Sequence, residues 1–102
     1  YSVTTQMSLP RDDDPKRKFY YDIIVGNKII EVHGDYYHAN PNKFAADHLF
    51  RGKITAKQIW EKDAYKKQIA INNGYDFHHI WASDLQSNKE QVIRECLNFL
   101  NQ

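Results

Sequence analysis

The chain has 102 residues, of which 41% are apolar and 26% charged, and a formal net charge of +1. That is enough for one domain with one core, and the balance excludes a disordered or fibrous chain. No apolar run approaches membrane-spanning length and no signal peptide is visible, so no membrane partner is expected. Cys96 is the single cysteine, which rules out a disulfide framework or a cysteine-based zinc site and points to a reducing, intracellular compartment. The start at Tyr1 rather than Met reads as that of a domain taken from a longer protein.

Residues 1–17, YSVTTQMSLPRDDDPKR, show no sustained period and carry two prolines and three consecutive aspartates. They read as a surface arm in front of a domain spanning 18–102, with Asp12, Asp13 and Asp14 as a solvated acidic turn.

Asp22 to His38, DIIVGNKIIEVHGDYYH, reads as a β-hairpin. Two apolar runs meet at Gly26-Asn27, a Gly-first pair suited to a tight II′ turn. A two-residue loop sets Val25 against Lys28, Ile24 against Ile29, Ile23 against Ile30 and Asp22 against Glu31. Alternation gives Tyr21, Ile23, Ile30 and Val32 to a core face. The other face starts apolar at Ile24 and Ile29 and turns polar at Asp22, Glu31 and His33. Opposed carboxylates roughly 5 Å apart repel, by about 3 kcal/mol at an effective dielectric of about 20. A divalent cation between them would reverse the sign, and hard oxygen ligands suit Mg²⁺. The competing reading is a solvated hairpin face with both acids in water. A three-residue turn would instead set Val32 against Asp22 and bring its backbone towards the metal.

Beyond His33, Gly34, Pro41 and several Asn/Asp residues end the strand, and Tyr36 and Tyr37 fall on a loop. Thr55 can cap a helix running to about Asn73 with Gly74 as its stop, burying Ile59, Trp60, Ala64, Ile71 and Tyr65. Asp63 lies three and four residues before Lys66 and Lys67, the spacing of a surface ion pair. Between positions 51 and 67, Arg51, Lys53, Lys57, Lys62, Lys66 and Lys67 face only Glu61 and Asp63. That excess suits phosphate as well as it suits a solvated helix face. A strand over Tyr75–Ala82 puts His78 and His79 on opposite faces, both as structural residues. Ser87 with Glu90 has capping-box spacing for a last helix that buries Val92, Ile93, Cys96, Leu97, Phe99 and Leu100. Hairpin, helix, strand, helix implies an α/β (α+β) fold: a mixed sheet flanked by helices.

Asp22 on one hairpin strand and Glu31-Val32-His33 on the next resemble the site pattern of the PD-(D/E)xK nuclease superfamily, with Tyr21 in place of its proline and His33 of its lysine. HGDYYH, WEKDAYKK and NNGYDFHHIWASD are similar to segments of the very short patch repair endonucleases from Asp22 to Asp84. A related group of phage homing endonucleases, named for an EDxHD pattern, fits at least as well and lacks the repair enzymes' zinc site. The resemblance implies a restriction-endonuclease-like fold and a phosphodiester-cleaving DNA endonuclease, most of all of the homing type, in a bacterial or phage-infected cell. Mismatch-nicking, structure-specific or restriction nucleases, and an inactive DNA-binding domain of the same fold, are the alternatives. It implies Asp22 as metal-binding carboxylate, with Glu31 and the Val32 carbonyl as further ligands to one or two Mg²⁺ ions. His38 becomes the general base, oriented by an Asp63 carboxylate that accepts its Nδ1–H, and His33 a contact to the scissile phosphate. Tyr36 and Tyr37 become aromatics that grip or wedge DNA, with Arg51, Lys53, Lys66 and Lys67 on its phosphates. The implied partner is double-stranded DNA, with a homodimer as a further arrangement. The chain has no glutamate before Glu31, where the family carries one.

Overall fold

A computed structural model describes residues 3–14 and 16–102, and places a four-stranded mixed sheet between helices. The strands are β1 (Val3–Pro10), β2 (Lys18–Val25), β3 (Lys28–His33) and β6 (Asp76–Trp81), in spatial order β1-β2-β3-β6. A small ribbon, β4 (Leu49–Phe50) and β5 (Ile54–Thr55), leads into α1 (Ala56–Asn72); α2 (Ala82–Ser87) and α3 (Lys89–Leu100) end the chain. The α+β class expected from the element order is the one observed. Among the described residues no helix is long and apolar enough to cross a membrane.

The hairpin forms as its turn demands. Val25 pairs with Lys28, Ile24 with Ile29 and Ile23 with Ile30, and Gly26 has a φ of 60°, the positive value that a II′ turn needs at its first central position. β6 then joins β3 in parallel, from Lys28↔Asp76 to His33↔Trp81. The crossover between them contains α1, as parallel pairing requires.

Two expectations fail in the strands. Residues 3–10 are not an arm but the edge strand β1, antiparallel to β2 from Val3↔Val25 to Pro10↔Lys18. Its stabilisation is mostly backbone pairing, with only Met7 and Leu9 packing on the core, so no apolar period marks it. Tyr1, Ser2 and Pro15 of that segment lie outside the described residues.

Secondly, the faces of β2 do not alternate throughout. Tyr21 and Ile24, three residues apart, both pack into the cluster of Phe19, Ile29, Ile69 and Ala70. The slip falls at Asp22, which is missing from both ladders, opposite Gln6 with its φ of 59°. Tyr21 is fully buried, as expected, but on the α1 face with Ile24 and Ile29 and not on one face with Val32, which is 38% exposed.

Helix α1 has its expected limits for the expected reasons. Thr55 and Gln58 form a reciprocal capping box. At the other end Gly74 N–H donates to Ile71 and Tyr75 N–H to Ala70, a Schellman stop with Gly74 at φ 88°. Its buried side is displaced, however. Ala56, Ile69 and Ala70 are buried and Ile59, Trp60 and Tyr65 half-buried, whereas Ala64 and Ile71 are exposed. The inward stripe passes through 56, 59, 60, 63, 66 and 70, which places Asp63 and Lys66 among core-facing positions.

The last helix also starts differently. Ser87 ends α2 and its hydroxyl donates to the Ser83 carbonyl, 2.9 Å away, so Asn88 stands at the N-cap of α3 without a side-chain cap. α3 lies on the sheet face opposite α1, with Phe99 stacked on His78 at 5.2 Å. It buries Val92 but leaves Ile93 and Leu97 44% and 48% exposed.

Candidate functional site

Along β3, Ile29, Glu31 and His33 alternate towards α1, and all three are buried. Ile29 meets Ile69 and Ala70. One step on, Lys66 Nζ lies 2.9 and 3.0 Å from the two oxygens of Glu31. One step further, His33 Nε2 is 3.6 Å from Glu31 Oε1. Burial pushes the Glu31 carboxyl up, but the neighbouring His33 ring and the hydrogen-bonded Lys66 ammonium outweigh it, so its pKa is lowered. Burial and the Glu31 charge raise the Tyr21 phenol, whose hydroxyl donates to the Lys66 carbonyl at 2.7 Å.

The loop after β3 is held in place by its own backbone and by Asp35. His38 N–H donates to Gly34, Ala39 N–H to Tyr36 and Asn40 N–H to Asp35. The Asp35 carboxylate accepts from Lys43 Nζ at 2.7 Å, from Ser83 N–H at 3.1 Å and from Asn40 Nδ2 at 3.3 Å. These bonds, with Lys43 and Ser83 foremost, hold its pKa far below the carboxylate range. Trp60 Nε1 donates to the Ala39 carbonyl at 2.6 Å, tying the loop to α1 as well.

So fixed, His38 stacks on His33 with ring centroids 3.9 Å apart and planes within 6°, and its Nδ1 lies 2.8 Å from Asp63 Oδ2. A third imidazole, His79, stacks on the other side of His33 at 4.7 Å. Burial, and next to it the proximity of His33, lowers the pKa of His79.

His38 and Asp63 stand in the wall between two hollows. The larger, an open cleft of about 640 Å³, also takes in Tyr20, Tyr36, Tyr37, Lys18, Arg51, Lys62 and Lys66. Lys18, Arg51 and Lys62 make no ion pair among the described residues, whereas Lys66 is committed to Glu31. Arg51 reaches the cleft from a tight turn in which it and Gly52 both have positive φ, 53° and 66°, the I′ signature. Tyr36 is 47% exposed and edge-on to Phe44 and Phe50; Tyr37 is 71% exposed. The smaller hollow, about 270 Å³, is walled by Trp60, Phe77, His79 and Trp81, with Lys67 at its side. Lys53 lines neither hollow.

No family model, no curated protein and no solved structure matches this chain.

Of the expected site, the fold brings together His33, His38 and Asp63, whose ligand atoms lie within 4.8 Å of one another. Their geometry does not suit one shared ion. Parallel imidazoles 3.9 Å apart cannot both aim in-plane lone pairs at a centre about 2.1 Å from each nitrogen. Asp22 and Glu31 are outside that group. The positive charge expected from a cation reaches Glu31 from Lys66 instead, and Val32 sits within β3 in register with Ile80. Asp22 is half-buried, lines neither hollow, and has no hydrogen bond or ion pair among the described residues.

Sequence reasoning missed the roles of Lys66, Asp35, His79 and Trp81. Lys66 was legible in principle, since it stands three residues after Asp63 on one helical face. His79 shares its strand face with Phe77 and Trp81, an aromatic alternation that places it on the α1 side of β6.

Proposed function

We propose that the chain is a metal-dependent DNA endonuclease domain of the homing-endonuclease-like kind, with His38 as general base. The observation that carries this is the His38 Nδ1–Asp63 bond of 2.8 Å in the wall of a basic, tyrosine-lined cleft. With Nδ1–H donated to the carboxylate, Nε2 is the nitrogen left to take a proton from water, and Asp63 steadies the imidazolium that results. Lys18, Arg51 and Lys62 supply cations for a phosphate backbone, and exposed Tyr37 a face for stacking.

For the metal, the ligands that the family resemblance implies leave one free carboxylate, Asp22, which lies outside the cleft wall that carries His38. Asp22 has no hydrogen bond or ion pair among the described residues, whereas both Glu31 oxygens are taken by Lys66. Mg²⁺ needs only one or two carboxylates beside water and substrate phosphate, and once bound it supplies charge stabilisation at the phosphate and leaving oxygen. Plasmid DNA incubated with Mg²⁺ should be nicked or cut, EDTA should stop it, and His38→Ala should be inert. No cleavage of any DNA under Mg²⁺ refutes the proposal. Asp22→Asn should abolish cleavage while DNA binding persists, and should remove the rise in Tm that Mg²⁺ confers on the wild type. Cleavage within tenfold of wild type excludes Asp22. The locked Glu31–Lys66 pair favours one other reading, in which the same cleft grips DNA without cutting it. Binding without cleavage in Mg²⁺ identifies that case.

A further inference from the structure

The smaller hollow has no part in the reading above, yet it shares His38 and Asp63 with the cleft. Its other walls are flat and aromatic. Phe77, His79 and Trp81 project from one face of β6, and Trp60 comes from α1. Trp81 stands nearly perpendicular to the His33 and His79 rings, 73° and 84° between planes at 5.4 and 5.6 Å. The result is a corner with one ring as floor and another as side.

Its polar groups open to solvent rather than onto other side chains. The Trp81 indole N–H and both ring nitrogens of His79 have no partner among the described residues, and Lys67 at the rim makes no ion pair. An aliphatic occupant would cut those groups off from water without replacing it. A planar heteroaromatic ring with a polar edge fills the corner and meets them. At about 270 Å³ the space falls just below that of drug-sized pockets, which suits a single such ring.

We propose that this hollow is a nucleobase site, taking the base of an unpaired or extruded nucleotide whose backbone lies in the adjoining basic cleft. The inference rests on the endonuclease reading for its ligand class, and adds to it a substrate class. Because His38 and Asp63 form the shared wall, the captured base belongs to a nucleotide next to the phosphate that His38 serves. A base within an intact duplex must first be unstacked and unpaired, whereas a mismatched or unpaired one has that cost largely removed. The protein therefore prefers DNA carrying a local pairing defect.

The test is binding in EDTA, where nothing is cut, read by fluorescence anisotropy. One probe is a short fully paired duplex; the other is the same duplex with a single unpaired 2-aminopurine at its centre. The wild type should bind the second about tenfold more tightly, the worth of one base stacked on aromatic side chains. Its 2-aminopurine emission should fall on binding. Trp81→Ala should erase both the preference and the quenching, leaving affinity for the paired duplex unchanged. Because Trp81 also packs on two histidines, Ala64→Trp serves as a second variant. Ala64 lines the hollow from an exposed position of α1, so the larger side chain fills the space with every wall intact. Equal binding of the two duplexes by a wild type that cuts plasmid overturns this inference alone. So does a preference that survives Ala64→Trp, since the hollow must then hold something else. A preference that depends on Trp81 in a protein that cuts nothing supports the base site and refutes the nuclease. Failure to bind either duplex refutes both.

Discussion

Lys66 on α1 and Glu31 on β3 form a nearly buried ion pair, with the ammonium 2.9 and 3.0 Å from both carboxylate oxygens. Their side chains are only 19% and 3% exposed. Such a pair adds little net stability over apolar residues, but breaking it strands a buried charge. Lys66→Met should therefore cost about 3 kcal/mol in urea unfolding, at the low end for such pairs because the ammonium keeps some solvent. Lys66→Met with Glu31→Gln should recover much of that loss, a coupling that independent effects would not give. The pair also sets an acid limit. The Glu31 carboxyl is depressed in the fold, so its contribution is complete above the unfolded value of about 4.3 and is lost as pH falls below it. The unfolding free energy of Glu31→Gln should decline less steeply over that range than that of the wild type.

His38 and Asp63 should behave as a unit in catalysis. If the 2.8 Å contact were only a surface pair, Asp63→Asn would cost at most about 1 kcal/mol of stability and leave the rate alone. As an orienting carboxylate it should instead lower kcat at least tenfold with DNA affinity unchanged. Adding Asp63→Asn to His38→Ala should then do little further harm. Multiplying effects would show that the two residues act separately.

The two tyrosines should separate. Tyr36 sits edge-on to Phe44 and Phe50, and such aromatic contacts add about 1 kcal/mol beyond area burial. Tyr36→Ala should lower Tm appreciably. Tyr37, far more exposed, should leave Tm nearly unchanged when replaced by alanine but weaken DNA binding. A large stability loss in Tyr37→Ala would assign it to packing.

His78 should make the fold sensitive to mild acid. Its Nε2 is buried without a partner among the described residues, and burial lowers its pKa while Phe99 stacks on its ring. A depressed histidine contributes fully above the unfolded value of about 6.5 and destabilises the fold as pH falls below it. His78→Phe keeps the stack and removes the orphaned nitrogen, so it should gain about 1 kcal/mol and flatten the stability profile between neutral pH and the range where carboxylates titrate. An unchanged slope would place the acid sensitivity elsewhere.

Local chemistry by itself determined the hairpin and α1. Gly26-Asn27 fixes a two-residue turn, and from it follow Val25↔Lys28 and Ile24↔Ile29. Thr55, Gln58 and Gly74 bound a helix whatever it packs on. Adjacent residues in a strand must diverge, so His78 meets Phe99 while His79 meets His33. The contact of His38 with Asp63 was also legible, given a helix packed across the hairpin.

Tertiary structure decided the rest. The break in alternation at Asp22 arises from pairing on both sides of β2, which no local pattern encodes, and it turned Tyr21 to the α1 face. β1 stayed hidden because an edge strand held by backbone bonds needs no apolar period. The charge state of Glu31 depended on which cation came within 3 Å of it. An acid–acid pair in sequence predicts a bound metal, but rotating α1 by one position brings Lys66 inwards instead. Electrostatics at short range depends on distances set by packing, and those distances are not written in the order of residues.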